Sequence, residues 1–259
     1  FNSQLSGKKI GYNNILDISD GLYCLNEFKD PTAVIVKHNN PCGVASAVSI
    51  KTAYIKAMES DKISTFGGVV LLNKKIDIKL ANIINRNFFE IVVAPKFDKT
   101  AFNILKSKKN LIIVNSNNLK IKNTMNFKSV NSGILFQETN LFKITKSKLK
   151  LVSKTKLSEK AIEDLIFAFK VAKHVKSNAI VLANNKQTLG IGAGQMSRLD
   201  ATRVAIMKYK DFFKNKKFVC ASDAFFPFTD NIKLLLKNKC IAIIQPSGSI
   251  NDIEIIDYA

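Results

Sequence analysis

Tryptophan is absent from this chain, histidine occurs only twice, and arginine appears only as Arg86, Arg198 and Arg203. The scarcity of arginine matters because the formal net charge is +20, a value that by itself suggests a nucleic-acid partner. Arginine is the residue suited to bidentate phosphate and guanine contacts, whereas lysine is a solvated point charge. The remainder of the 40 basic residues are lysine, and lysine excess travels here with many asparagines and isoleucines. We therefore read the charge as a solvated lysine surface that steers anionic small molecules, and keep a basic nucleic-acid binder as the alternative. Cysteine is sparse too. Cys24, Cys42, Cys220 and Cys240 are the only four, and none forms a C-x-x-C pair. Free thiols in a reducing compartment are expected, which places the chain in the cytoplasm. No apolar run reaches the ~18 residues of a membrane span. The first residues, Phe1-Asn2-Ser3-Gln4-Leu5, lack the basic start and apolar core of a signal peptide. They also lack methionine, so the chain is expected to be a processed or partial piece.

What is present is a series of short, continuous apolar runs: 33–36, 69–72, 91–94, 111–114, 179–183, 218–221 and 240–244. Continuous rather than alternating runs suit strands buried on both faces. Helical patterns fall between them. In 158–173, Ser158 is a candidate N-cap and Ile162, Leu165, Ile166 and Phe169 share a face; in 77–87, Asp77 is a candidate cap before Leu80, Ile83 and Ile84. Strands alternating with helices predict an α/β layered fold. The run "KITKSKLKLVSKTK" (143–156) has six lysines and no acid, as in a linker or a charged edge strand. A boundary near 150 divides the chain into halves, 1–150 and 151–259. The stretches "VIVKHNNPCGVA" and "AIVLANNKQTLGIGAG" both run strand, Asn-Asn, glycine turn, a faint internal repeat. Residues 98–128 are rich in lysine and asparagine and receive no assignment.

Gly-, Pro- or Asn-rich junctions follow the expected strands at 37–45, 64–68, 190–198, 222–230 and 244–249. In open α/β sheets, ligands bind beyond the carboxyl ends of strands, so several junctions can converge on one pocket. Lys37-His38 is the most pointed. An imidazole moves protons near neutral pH, and an adjacent ammonium stabilises a developing oxyanion or protonates a leaving nitrogen. Both reach one site only if the chain is turning, and Asn39-Asn40-Pro41 supplies the expected turn. The plainer alternative is a histidine bonded to loop backbone beside an exposed lysine. Zinc is rejected: after Pro41-Cys42 the second cysteine of a P-C-x-x-C motif is missing, and His38-Asn39-Asn40 lacks the glutamate of H-x-E. "GIGAGQMSR" precedes a helix expected over 196–209 and fits either an anion site at a helix N-terminus or a tight turn; it lacks G-x-G-x-x-G spacing. His174 reads as a cation at a helix end. "SDAFFPFTD" reads as a core cluster, or as an apolar wall for a ring-bearing ligand with Asp230 at its polar edge.

In order, "YNNILD" (12–17), "VIVKHNNPCGVA", "STFGGVV", "KSNAIVLANN", "GIGAGQMSRLDATR", "SDAFFPFTD" and "IQPSGSI" resemble the AICAR transformylase region of the bifunctional purine biosynthesis family, over nearly the whole chain. The resemblance implies two cytidine-deaminase-like halves without zinc, and a homodimer with sites at the subunit interface. It implies formyl transfer from 10-formyltetrahydrofolate, as co-substrate, to the ribonucleotide AICAR, with no metal in the chemistry, no nucleic acid and no membrane. Lys37 and His38 match the family's catalytic pair. Asn178 matches an asparagine that positions the AICAR carboxamide. Gly67, Glu90 and Arg198 fall on the AICAR side, and Phe66, Leu199, Phe225, Pro227, Asp230 and Ser249 on the folate side. The family's preceding IMP cyclohydrolase domain, an Arg-Tyr-Gly stretch upstream of Phe1 and a closing segment beyond Ala259 are expected to be missing here. Glu90 stands where the family usually has aspartate. A catalytically inactive dimeric scaffold is the second alternative.

Overall fold

In the computed structural model, which describes residues 3–117, 119, 121 and 125–259, the continuous apolar runs become strands of one sheet. The elements of the first half are β1 (Gln4–Ser6), α1 (Tyr12–Leu25), β2 (Thr32–Lys37), β3 (Asn40–Ser46), α2 (Ile50–Ser60), β4 (Val69–Leu72), α3 (Ile78–Asn85), β5 (Ile91–Ala94), α4 (Lys99–Lys106), β6 (Ile112–Asn115), β7 (Met125–Val130) and β8 (Gly133–Glu138). Those of the second are α5 (Glu159–Ala172), β9 (Ile180–Asn184), β10 (Gln187–Gly192), α6 (Arg198–Phe213), β11 (Phe218–Ser222), α7 (Asp230–Lys237), β12 (Cys240–Ile244) and α8 (Asp252–Tyr258). Phe1 and Asn2 of the N-terminal stretch, and five positions within 118–124, lie outside the described residues.

Ten strands form one mixed sheet in the order β1-β6-β5-β4-β2-β3-β10-β9-β11-β12. The strands β4, β5 and β6 run parallel, as do β11 and β12, while β2, β3, β10 and β9 are antiparallel to their neighbours. Both faces of the sheet are covered, which is why the runs read as unbroken apolar segments. Val34, Val36, Val181, Ala183, Val219 and Ala221 pack with Ile18 of α1 and Leu165 of α5. The alternate residues of the same strands pack the other way. Ala33 and Ile35 meet α2, α3 and α4, and Ile180, Leu182 and Cys220 meet α6 and α7. The result is an α/β/α sandwich, and among the described residues no helix is long and apolar enough to cross a membrane.

The expected caps are in place. Ser158 Oγ accepts from Ala161 N and Asp77 Oδ1 from Leu80 N, each satisfying a donor that the first helical turn leaves orphaned. The buried side of α5 differs from the expected one. It is built on Ala161, Leu165, Ala168 and Ala172, while Ile162, Ile166 and Phe169 sit half-buried on its flank, because small residues let the helix lie close to the sheet. The segment 143–156 contains a single 3₁₀ turn, Lys146–Lys148, and no edge strand.

Five strands were not expected: β1, the ribbon strands β7 and β8, and, at the centre of the sheet, β3 and β10. Residues 40–46 and 187–192 read as glycine-containing junctions but are β3 and β10, the adjacent central strands. Pro41, Gly43, Gly190 and Gly192 argue locally against strand. The tertiary reason is helix proximity. A Cβ on Gly43 would overlap the carbonyl oxygen of Ala57 in α2, and one on Gly190 that of Ala205 in α6. The faint repeat is therefore structural: one constant offset carries Tyr12 to Glu159, Leu25 to Ala172, Lys37 to Asn184, Asn40 to Gln187 and Gly43 to Gly190.

Candidate active site

The catalytic candidates sit where β2 turns into β3. The turn consists of His38 (φ 52°) and Asn39 (φ 62°), with Asn40 and Pro41 already in β3; the expected Asn39-Asn40-Pro41 turn is thus displaced by one residue. Two consecutive positive φ values mark a primed hairpin turn, and His and Asn tolerate that region better than most residues. The Asp17 carboxylate on α1 accepts from Asn39 N at 2.6 Å. Lys37 Nζ, from the last residue of β2, donates to the carbonyl of Phe66 at 2.8 Å.

Phe66 opens the next part. Its ring is 62 % exposed and lies 5.1 Å from that of Phe88. Gly67 (φ 71°) donates its N–H to Phe88 O at 2.9 Å, so the backbone there needs a residue free to adopt positive φ. Glu90 follows, held by Asn14 Nδ2 at 3.2 Å and by Lys8 at 3.8 Å. Asn14 belongs to the "YNNILD" stretch and also caps α1 through Gly11 N.

The second group of residues surrounds Arg198. Its guanidinium bonds Asp223, Ser222 Oγ and the Oδ1 of Asn178, and the side chain is 9 % exposed. Asn178 Nδ2 in turn donates to Gln195 O at 2.8 Å and Met196 O at 3.2 Å, which fixes the orientation of the amide. Burial would raise the Asp223 carboxyl, but the Ser177 hydroxyl, Arg198 and Ala179 N–H outweigh it and hold the pKa below the ordinary range. The N-terminus of α6, considered above as an anion site, is occupied by its own chain: Ser197 Oγ accepts from Asp200 N and donates to the Asp200 carboxylate. Leu199 sits half-buried in the first turn of that helix.

Phe225, Pro227 and Ser249 lie on two loops, with Asp230 opening α7 behind the first; the loops are tied together by Phe226 N→Gln245 Oε1 (2.9 Å) and Asn251 Nδ2→Pro227 O (2.8 Å). Of the three phenylalanines, Phe226 is fully buried, whereas Phe225 and Phe228 are 37 % and 63 % exposed. The core reading of that stretch therefore holds for Phe226, while Phe225 and Phe228 lie outside the core. Asp230 is exposed and accepts from Asn231 N at 2.6 Å.

Strand directions place every one of these residues along the same edge of the sheet. Lys37 ends β2, Asn178 precedes β9, Asp223 follows β11 and Ser249 lies beyond β12. Phe66-Gly67 and Glu90 lie at the amino ends of β4 and β5 rather than at carboxyl ends, because β4 runs antiparallel to β2. The edge nonetheless holds two clusters. Three strand spacings separate β2 from β9, about 14 Å at ~4.8 Å each, so Lys37 and His38 do not touch Asn178 within one chain.

Between the clusters runs a cleft of about 190 Å³ lined by Lys37, His38, Asn40, Cys42, Asp61 and Lys208, among others. Asn40 Oδ1 accepts from Lys176 N at 2.9 Å, joining the halves. Asp61 bonds Lys208 of α6, Ser64 N at 2.8 Å and Ser64 Oγ at 2.6 Å. Burial favours its neutral form, but Lys208 and Ser64 prevail and the pKa lies below the usual carboxylate value. Burial, with Asp61 adding to it, pushes the Cys42 thiol up to about 12, and its Sγ donates to Ile35 O, so it packs as an inert group. Asp17, Asp61 and Lys208 were missed from the sequence. Only Asp17, within "YNNILD", carried any signal. His174 lies just past the end of α5, where its Nε2 is 3.4 Å from Glu27 Oε1, which also pairs with Lys173.

Residues 2–208 match the family described as AICARFT/IMPCHase bienzyme. The chain is 50 % identical over 258 residues to the bifunctional purine biosynthesis protein PurH of Caldicellulosiruptor bescii, covering 99 % of this chain and 50 % of that protein. It is 48 % identical over 260 residues to the protein of the same name from Thermoanaerobacter sp. strain X514, and 45 % over 261 to that of Buchnera aphidicola subsp. Schizaphis graminum, each covering 99 % of this chain and 50 % of the relative. The chain spans about half the length of these curated relatives.

Proposed function

This chain belongs to the AICARFT/IMPCHase bienzyme family, and on that premise we propose that it is a phosphoribosylaminoimidazolecarboxamide formyltransferase. It moves the formyl group of 10-formyltetrahydrofolate to the amino group of AICAR in cytoplasmic purine biosynthesis, within a longer protein that also carries IMP cyclohydrolase. The single observation that carries the reading is that one sheet edge gathers the residues of all five junctions.

The amine nitrogen attacks the formyl carbon to give a tetrahedral oxyanion. The amine sheds a proton, N10 of the folate gains one, and the C–N10 bond breaks to release formyl-AICAR and tetrahydrofolate. His38, projecting from a turn with its backbone fixed by Asp17, shuttles the proton. The Lys37 ammonium stabilises the oxyanion or protonates N10, its Nζ held ready by Phe66 O. Asn178 positions the AICAR carboxamide. Arg198 is buried against Asp223, so it acts on AICAR through the Asn178 amide it orients rather than as a free anion contact. The Gly67 backbone and Glu90 complete the nucleotide side. Phe66, Leu199, Phe225, Pro227, Asp230 and Ser249 form the folate side, the exposed rings offering flat apolar surface to a pterin.

The two halves correspond to cytidine-deaminase-like units, 1–150 and 151–259, and the working form is a homodimer in which Lys37 and His38 of one copy meet Asn178 and Phe225 of the other. Two features favour it. The ~14 Å between β2 and β9 leaves the single-chain site divided. The ribbon β7–β8 also carries Phe127, Phe136 and Ile134 at 71 %, 69 % and 66 % exposure, and a lone two-stranded ribbon is marginal in water. Neither the nucleic-acid binder nor the inert scaffold finds support in the comparisons.

The test is tetrahydrofolate release from 10-formyltetrahydrofolate plus AICAR. It is measured for this chain and for a version extended by the segments its longer relatives possess. His38→Ala is expected to lower kcat by ~10²–10⁴-fold, the usual contribution of a proton-transfer group. An unchanged kcat overturns the assignment.

A further inference from the structure

We propose that Asp17 is the positioning residue for His38, holding it in the left-handed turn and setting a carboxylate beside its imidazole. The inference rests on the reading of His38 as proton shuttle. Its geometry begins with the turn. His38 and Asn39 both have positive φ, a conformation that costs energy for a side chain bearing Cβ and persists only where surrounding contacts over-determine it. The contact that does so is Asp17 Oδ1, which accepts from Asn39 N at 2.6 Å. Asp17 projects from the middle of α1, which packs on β2 through the apolar residues Ile18 and Val36. The clamp is therefore anchored in the core rather than on a loop.

The internal repeat shows that the clamp is a built feature. At the equivalent place in the second half, Asp164 of α5 accepts from Asn185 N at 3.0 Å and Lys186 N at 2.8 Å, and these two residues again have positive φ (51° and 51°). There both carboxylate oxygens serve the backbone. At the first turn, among the described residues, only Oδ1 is given a backbone partner. Burial raises the Asp17 pKa, Asn39 N–H and the His38 charge pull it down, Asp20 and Glu90 push it up, and the balance lies above the ordinary value. The same fold device thus clamps a turn without an imidazole in one half and the imidazole-bearing turn in the other. Asp164 becomes the natural control.

The chain has only two histidines, so the ring resonances of His38 are identified in an NMR spectrum by their persistence in His174→Asn. In Asp17→Ala the His38 resonances are expected to move and broaden, whereas Asp164→Ala, which loses two backbone hydrogen bonds, leaves them in place. Asp17→Asn keeps an oxygen for Asn39 N–H but removes the charge; it too moves the His38 signals, and it serves if the alanine variant does not fold. In the formyl-transfer assay, Asp17→Ala lowers kcat on the order of 10–100-fold with KM values changed less than about twofold, the pattern of misplaced chemistry rather than lost binding. His38 resonances unmoved in both Asp17 variants, or moved equally by Asp164→Ala, overturn the proposal. Because the spectra involve no substrate, a chain that fails to transfer formyl groups sinks the functional reading while leaving this one to be judged on the resonances alone.

Discussion

Replacing Lys208 by methionine isolates one of the ties between the two halves. Lys208 reaches from α6 to Asp61, on the loop between α2 and β4. The Asp61 side chain is 4 % exposed and that of Lys208 26 %. Removing one partner of a buried pair typically costs ~3–5 kcal/mol, because an uncompensated charge is left behind. Asp61 keeps its bonds from Ser64 N and Oγ, and Lys208 is partly screened by water, so the cost falls to the bottom of that range or just below it, about 2–3 kcal/mol. At ~2–4 °C per kcal/mol for a chain of this size, the melting temperature should fall by roughly 4–12 °C in calorimetry near pH 7. The sign with pH is definite. In the unsubstituted chain the Asp61 pKa is depressed, so its contribution is present above the unfolded value of ~3.9 and vanishes as pH falls through the folded value. Without Lys208, burial dominates and the folded pKa rises above the unfolded one; the variant's deficit then shrinks as pH falls from 7 toward 4, where protonation removes the buried charge. Asp61→Asn combined with Lys208→Met should recover part of the loss. A deficit below ~1 kcal/mol, or one constant between pH 7 and 4, would refute the reasoning.

Gly43→Ala and Gly190→Ala should each cost ~2–3 kcal/mol in denaturant unfolding, since each new Cβ meets a helix carbonyl; a neutral result at either position would show that the helices can retreat. The Asp223 carboxyl, also held low, stabilises the fold above pH ~4 and ceases to do so as pH falls through its folded pKa. Asp223→Asn is therefore expected to flatten the acid limb of a stability–pH curve, and an unchanged limb would count against the Arg198 network.

Much of this was legible in local sequence. Strands 69–72, 91–94 and 240–244 coincide with their apolar runs, and Ser158 and Asp77 cap the helices they were expected to cap. Such features depend on residues within a turn or a strand of one another. Lys37 and His38 were visible as chemistry-bearing residues in asparagine-rich surroundings, Asn178 entered only through the family resemblance, and the sheet topology explains why the junctions share an edge. The strands β3 and β10 were not legible, because their glycines answer to helices α2 and α6, whose carbonyls approach only after the layers pack.

By itself, then, the order of residues determined the α/β class, the caps, the buried strands other than β3 and β10, and the family, since each is written in short-range pattern or in long ordered motifs. Tertiary structure alone decided that Asp17 grips the His38 turn, that Lys208 meets Asp61, that Arg198 is spent on Asn178 and Asp223, and that the two site clusters stand three strands apart. These are contacts between residues remote in the chain, and only the register and layering of a ten-stranded sheet set which of them meet.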